Sequence, residues 1–151
     1  MVNEMQGNLS EHVHTLTRQS QSGERWIDLS VSPEYAEELG TAIAKRVAEY
    51  DPQLIVTWML PDEAVLAHIV ARILGISSAH AELDLGLITV DRELCPSMRI
   101  LLLTTIDDQY RRLNSLNTLF IEHGHTVVAA VSVLSTGDPL LESAAPQFAL
   151  F

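Results

Sequence analysis

Residues 99–106, RILLLTTI, place four aliphatic side chains in a row with no polar interruption. A strand with one wet face alternates apolar and polar residues, so an unbroken run fits a strand covered on both faces. Such strands belong to parallel sheets sandwiched between helices, and ligands of these sheets sit at the strands' carboxyl ends. At that end the chain continues Asp107, Asp108, Gln109 and Tyr110. The two aspartates have two readings: caps of the next helix, or a hydroxyl- or metal-binding pair in the crevice.

The remaining elements alternate around this strand. Ser32-Pro33-Glu34 opens a helix, with serine capping, proline in the first turn and glutamate at the positive end. Ala36, Leu39, Ile43 and Val47 give it an apolar face through about Tyr50, before Asp51-Pro52 stops it. LIVTWM (54–59) reads as a short buried strand, and EAVLAHIVARILG as a helix capped by Asp62 and closed by Gly75. SSAHAEL is a further strand, and GLITVDRELCPSM a hairpin or loop. A helix from Asp107 or Asp108 to Gly124 follows, then the strand HTVVAAVSVLS. The last residues, GDPLLESAAPQFALF, end apolar and dock on the body. Near the start, a polar, irregular tail over residues 1–15 runs into a small N-terminal element around VHTLTR, and RWIDLS is a short edge strand. Residues 16–151 then make one α/β domain with a doubly wound, mainly parallel sheet.

Charge narrows the function. Twenty acidic residues stand against nine basic ones, a net charge of −11, and Lys45 is the single lysine. Nucleic-acid binding depends on lysine and arginine displacing counterions, so direct nucleic-acid binding is not expected as the main role. A basic protein surface is the partner such a chain favours. The apolar runs are too short to span a bilayer and no signal-peptide pattern opens the chain, so a cytoplasmic protein is expected. Cys95 has no second cysteine to pair with, as in a reducing compartment. His12 and His14 lack a third ligand at metal-binding spacing. His123 and His125 flank Gly124 where an imidazolium favours a helix end, and His68 reads as a core or interface residue. Arg111 and Arg112 read as solvated partners of acidic neighbours.

Four stretches resemble the type I phosphoribosyltransferase family, most closely its orotate-specific members. TLTRQSQSGERWIDLS is similar to the family's N-terminal hood, with Ser22, Gly23, Trp26 and Asp28 matching. SPEYAEELGTAIAKRV resembles the following helix. DPQLIVTWMLPDEAVLAHIVARILGI resembles the first core strand, pyrophosphate loop and helix. RILLLTTIDDQYRRLNSLNTLFIEHGHTVVAAVSVLSTGD resembles the signature strand, loop, helix and next strand. The resemblance implies a small N-terminal hood element and a homodimer.

The family's signature places an acidic pair after four aliphatics to clamp ribose hydroxyls, then a small, glycine-containing loop for the 5′-phosphate. Here Thr104 and Thr105 stand at the acidic pair and Tyr110 at the glycine. Moving the register to Asp107 and Asp108 recovers carboxylates but puts Arg111, Arg112 and Leu113 in the loop. A phosphate nest needs glycine or tiny side chains, so both alignments lose it. The catalytic-loop segment 82–98 has Arg92 and no lysine, and Leu60, Pro61, Asp62 and Glu63 replace the glycine-rich pyrophosphate turn. Losing several transition-state donors, each worth roughly two to three orders of magnitude, leaves no useful rate.

The expectation is therefore a pseudoenzyme without catalytic residues or a cofactor, acting in regulation, ligand sensing or assembly. Its vestigial pocket comprises Thr104, Thr105, Asp107, Asp108, Gln109, Tyr110, Arg111, Asp62 and Glu63, with a nucleotide or phosphoribosyl compound as the implied ligand. The alternative is an active transferase or metal-assisted sugar-phosphate enzyme using Asp107/Asp108 or Asp62/Glu63 with magnesium.

Overall fold

The computed structural model describes residues 2–151. Helix α1 (Val2–Leu16) leads into strands β1 (Thr17–Gln19) and β2 (Arg25–Ile27), then a single 3-10 turn at Leu29–Val31. Helix α2 (Pro33–Val47), strand β3 (Leu54–Trp58), helix α3 (Pro61–Leu74) and strands β4 (Ser77–Asp84) and β5 (Leu87–Val90) follow. Strand β6 (Arg99–Ile106), helix α4 (Leu113–Glu122) and strands β7 (Thr126–Leu134) and β8 (Gln147–Ala149) complete the order.

The main sheet runs β5-β4-β3-β6-β7-β8, parallel except for the antiparallel β4–β5 pair. Its faces are built by strict alternation along β6. Leu101 and Leu103 join a core with α1, α2 and α3, while Ile100 and Leu102 join the core beneath α4. All four are fully buried, as an unbroken aliphatic run requires. The chain leaves β3 toward β4 on one side and returns to β6 on the other. The carboxyl ends of β3 and β6 therefore flank the point where the winding direction reverses, the usual ligand crevice of such sheets.

Several expectations hold at residue level. The Ser32 hydroxyl accepts from the Tyr35 N–H with Pro33 in the first turn, and Gly75 closes α3 in a left-handed conformation. GLITV is the return strand of a hairpin whose turn, Leu85-Gly86, has positive φ at both residues. The terminal apolar residues dock: Leu140 and Leu141 are buried, and β8 adds to the sheet beside β7.

Others are corrected. The N-terminal residues are helical and not irregular: Leu9, Val13 and Leu16 recur at four- and three-residue spacing, and Val13 and Leu16 enter the core. RWI pairs with β1 in a separate two-stranded ribbon and does not edge the main sheet. Helix α2 gives way at Val47 to a 3-10 turn. His68 is not a core residue but lies exposed on the outer side of α3, because Leu66, Ala67, Ile69 and Val70 form the buried face. Among the described residues, no helix is long and apolar enough to cross a membrane.

Candidate functional site

The residues named from the sequence do converge on the carboxyl ends of β3 and β6, but in roles other than those expected. Thr104 and Thr105, at the end of β6, are almost fully buried. Glu63, on the first turn of α3, is equally buried and reaches across the crevice to them. Its Oε1 accepts from Thr104 Oγ1 at 2.7 Å, from the Thr105 N–H at 3.0 Å and from Thr105 Oγ1 at 3.1 Å. Glu63 is therefore no helix cap; the N-terminal turn of α3 starts from Leu60 with no side-chain cap. A carboxylate has returned to the place where the resemblance implied an acidic pair, carried by a different element.

Three donors meet one carboxylate oxygen, whereas Oε2 has no hydrogen-bonding partner among the described residues. Burial pushes the Glu63 carboxyl up to about 7. The hydrogen bonds from Thr104 and Thr105 pull against that shift, and nearby Asp62 adds to it. Asp62 is no cap either: its Oδ1 accepts from the Leu29 N–H at 2.9 Å, tying the 3-10 turn after the ribbon to α3. Neighbouring carboxylates on one turn thus hold two separate parts of the chain.

After β6 the loop 107–112 folds around its own acids. Asp108 Oδ1 accepts from the N–H groups of Tyr110, at 2.6 Å, and Arg111, at 3.2 Å. Asp107 Oδ1 accepts from the Leu113 N–H at 2.9 Å, and its Oδ2 lies 3.2 Å from Arg112 Nε. Helix α4 therefore begins at Leu113, later than Asp107 or Asp108, and Asp107 caps it from a distance because the intervening turn folds back. Burial, with Asp108 adding, pushes the Asp107 carboxyl above the ordinary aspartate range despite Leu113 and Arg112. Asp107→Ala is expected to cost about 1–2 kcal/mol in unfolding free energy, read by urea titration, since the Leu113 N–H loses its acceptor.

Gln109 and Tyr110 do not fill the crevice. Both are exposed, Tyr110 by 73%. Beside α4 an open cleft is lined by Arg112, Ser115, Asp138 and Glu142, so acids outnumber bases there too.

The donor set does not suit a magnesium-bridged pyrophosphate. Magnesium takes carboxylates that keep oxygens free for metal and water. Here one oxygen of each of Glu63 and Asp62 is held by a protein donor, and the other oxygen of Glu63 is sealed from solvent. The loop amides that would face a phosphate, those of Tyr110 and Arg111, already bind Asp108. Among the described residues, no group of three or more histidine, cysteine, aspartate or glutamate side chains could hold a metal ion. His12 instead pairs with Glu38 and stacks on Tyr35. His123 Nδ1 donates to Leu119 O at the helix end, and His125 Nδ1 accepts from the Met98 N–H.

Sequence reasoning missed one polar cluster. His80 bonds Asp91 through both its backbone N–H and Nδ1, at 2.8 and 2.9 Å, and is the strand partner of buried Thr57. Among the described residues, His80 Nε2 and Thr57 Oγ1 both lack hydrogen-bonding partners. A histidine alternating with apolar residues in SSAHAEL was the available signal.

No protein-family model matches the sequence, and a search of curated sequences finds no relative. Solved structures do match. Adenine phosphoribosyltransferase from Saccharomyces cerevisiae superposes with a TM-score of 0.75 at 12% identity, covering 96% of this chain and 99% of that one. Orotate phosphoribosyltransferase from Mycobacterium tuberculosis gives 0.69 at 15% identity, covering 97% and 95%. A hypothetical protein from Neisseria gonorrhoeae with bound ppGpp gives 0.59 at 10% identity, covering 78% of each chain. With its switch-point crevice, helix order and N-terminal ribbon, the chain has the type I phosphoribosyltransferase fold.

Proposed function

We propose that this chain is a catalytically inactive phosphoribosyltransferase-like protein that works by contact, in regulation, ligand sensing or assembly. The observation that carries this reading is the consumption of the crevice's donors by the chain's own carboxylates. Glu63 takes the end of β6, and Asp108 takes the loop amides. A phosphorylated sugar would have to displace buried or bonded negative charge to enter, in a chain of net charge −11 with one lysine.

The contacts would be a second copy of the chain and a partner with a basic surface. The β4–β5 hairpin supplies an exposed apolar tip among acids, with Leu85 97% and Leu87 71% exposed next to Glu82 and Asp84.

The test is turnover with phosphoribosyl pyrophosphate and magnesium, offering adenine, orotate and other purine and pyrimidine bases. No pyrophosphate release above buffer is expected. Release that Asp107→Ala and Asp108→Ala abolish would overturn the reading. Thermal melting with the same compounds and with ppGpp addresses sensing separately, because a bound ligand raises the melting temperature by mass action. A flat response to all of them would remove ligand sensing and leave assembly.

A further inference from the structure

The end of β6 is built as a receptor for one carboxylate group. The Thr104 hydroxyl, the Thr105 amide and the Thr105 hydroxyl converge on a single oxygen within 2.7–3.1 Å. These donors belong to one strand end and are 41–42 residues from the carboxylate they hold. Receptor and occupant thus come from different elements, on opposite sides of the crevice. The occupant fits incompletely, since Glu63 Oε2 is buried with no partner among the described residues. The Thr104 hydroxyl also has a second acceptor, Ile106 O at 3.0 Å, so it stays satisfied when the carboxylate leaves.

We infer that Thr104 and Thr105 form a carboxylate-binding site that Glu63 occupies as an internal ligand, and that a small monocarboxylate binds there once Glu63 is withdrawn. Glu63 is then a tethered competitor, whose high local concentration keeps outside carboxylates away in the intact protein. Glu63 can be withdrawn by rotation of its side chain or by a shift of the first turn of α3 away from β6. The same turn carries Asp62, which holds the Leu29 N–H, so a shift of the turn would loosen both contacts. The inference does not depend on whether the chain turns over a substrate.

The experiment uses the full chain carrying Glu63→Ala, melted in increasing sodium acetate against sodium chloride at matched ionic strength. Acetate is expected to raise the melting temperature in a saturating way, formate to do the same, and chloride or bulky benzoate to give only the baseline salt response. Wild type should show no acetate-specific rise, and adding Thr105→Val to Glu63→Ala should abolish it. An acetate response equal to chloride, or one that survives Thr105→Val, would overturn the proposal. Should Glu63→Ala fail to fold, carboxyl NMR titration of Glu63 in the otherwise intact chain replaces it. Thr104→Val and Thr105→Val should each raise the Glu63 titration midpoint, because lost donors destabilise the ionised form. Unchanged midpoints in both variants would overturn the proposal equally.

Discussion

Glu63→Gln is expected to remove a fall in stability that wild type shows as pH rises from about 4.5 to about 7. The ordinary glutamate value is 4.5, and burial lifts the folded-state value to about 7. Between those values the folded protein holds a proton that the unfolded chain has released. Stability from this group is therefore fully present below 4.5, declines through the window and is flat above about 7. A shift of this size corresponds to on the order of 3 kcal/mol. Glutamine imitates the protonated acid: its carbonyl oxygen can accept from Thr104 and Thr105, and it cannot ionise. Denaturant titrations of both proteins across this range should show their difference moving in favour of glutamine by that order. Titrations common to both chains cancel in the comparison. A pH-independent difference would show that Glu63 is ionised throughout and that the three donors outweigh burial.

The second large effect is expected at Gly40, where α2 crosses α3. A Cβ on Gly40 would lie 2.3 Å from Ile69 Cγ2 and 2.9 Å from Ile69 Cβ. Ile69 is itself buried, so it has little room to yield. Alanine gains roughly 1 kcal/mol of helix propensity over glycine. Overpacking of this kind costs about 1–3 kcal/mol, and contacts this short belong at or beyond the upper end. Gly40→Ala should therefore lower the urea midpoint. Combining it with Ile69→Ala should be less harmful than the two single effects added together, because each change relieves the other. A Gly40→Ala protein as stable as wild type would mean that the helices are not packed this closely.

What could be read beforehand was whatever short-range periodicity carries. The Ser32-Pro33 start, the Gly75 stop and the two-sided burial of Ile100–Leu103 all rest on neighbours within a turn or a strand. Helix α1 was legible in the same way, through Leu9, Val13 and Leu16, but the surrounding polar residues hid it. The start of α4 was not legible. Asp107 does cap the helix, but six residues early across a folded-back loop, while Asp108 binds amides within that loop.

The site shows the same division. By itself the sequence placed Thr104 and Thr105 directly after four aliphatics, Tyr110 in the loop beyond them, and Asp62 and Glu63 in the turn after LIVTWM. Each of those is a matter of residue identity at a place in a local pattern. Only the tertiary structure decided that Glu63 crosses the crevice to those threonines while Asp62 turns to Leu29. Adjacent carboxylates on a helix's first turn are both plausible caps. Which amides they meet depends on where β6 and the N-terminal ribbon lie, and packing over long sequence separations sets that.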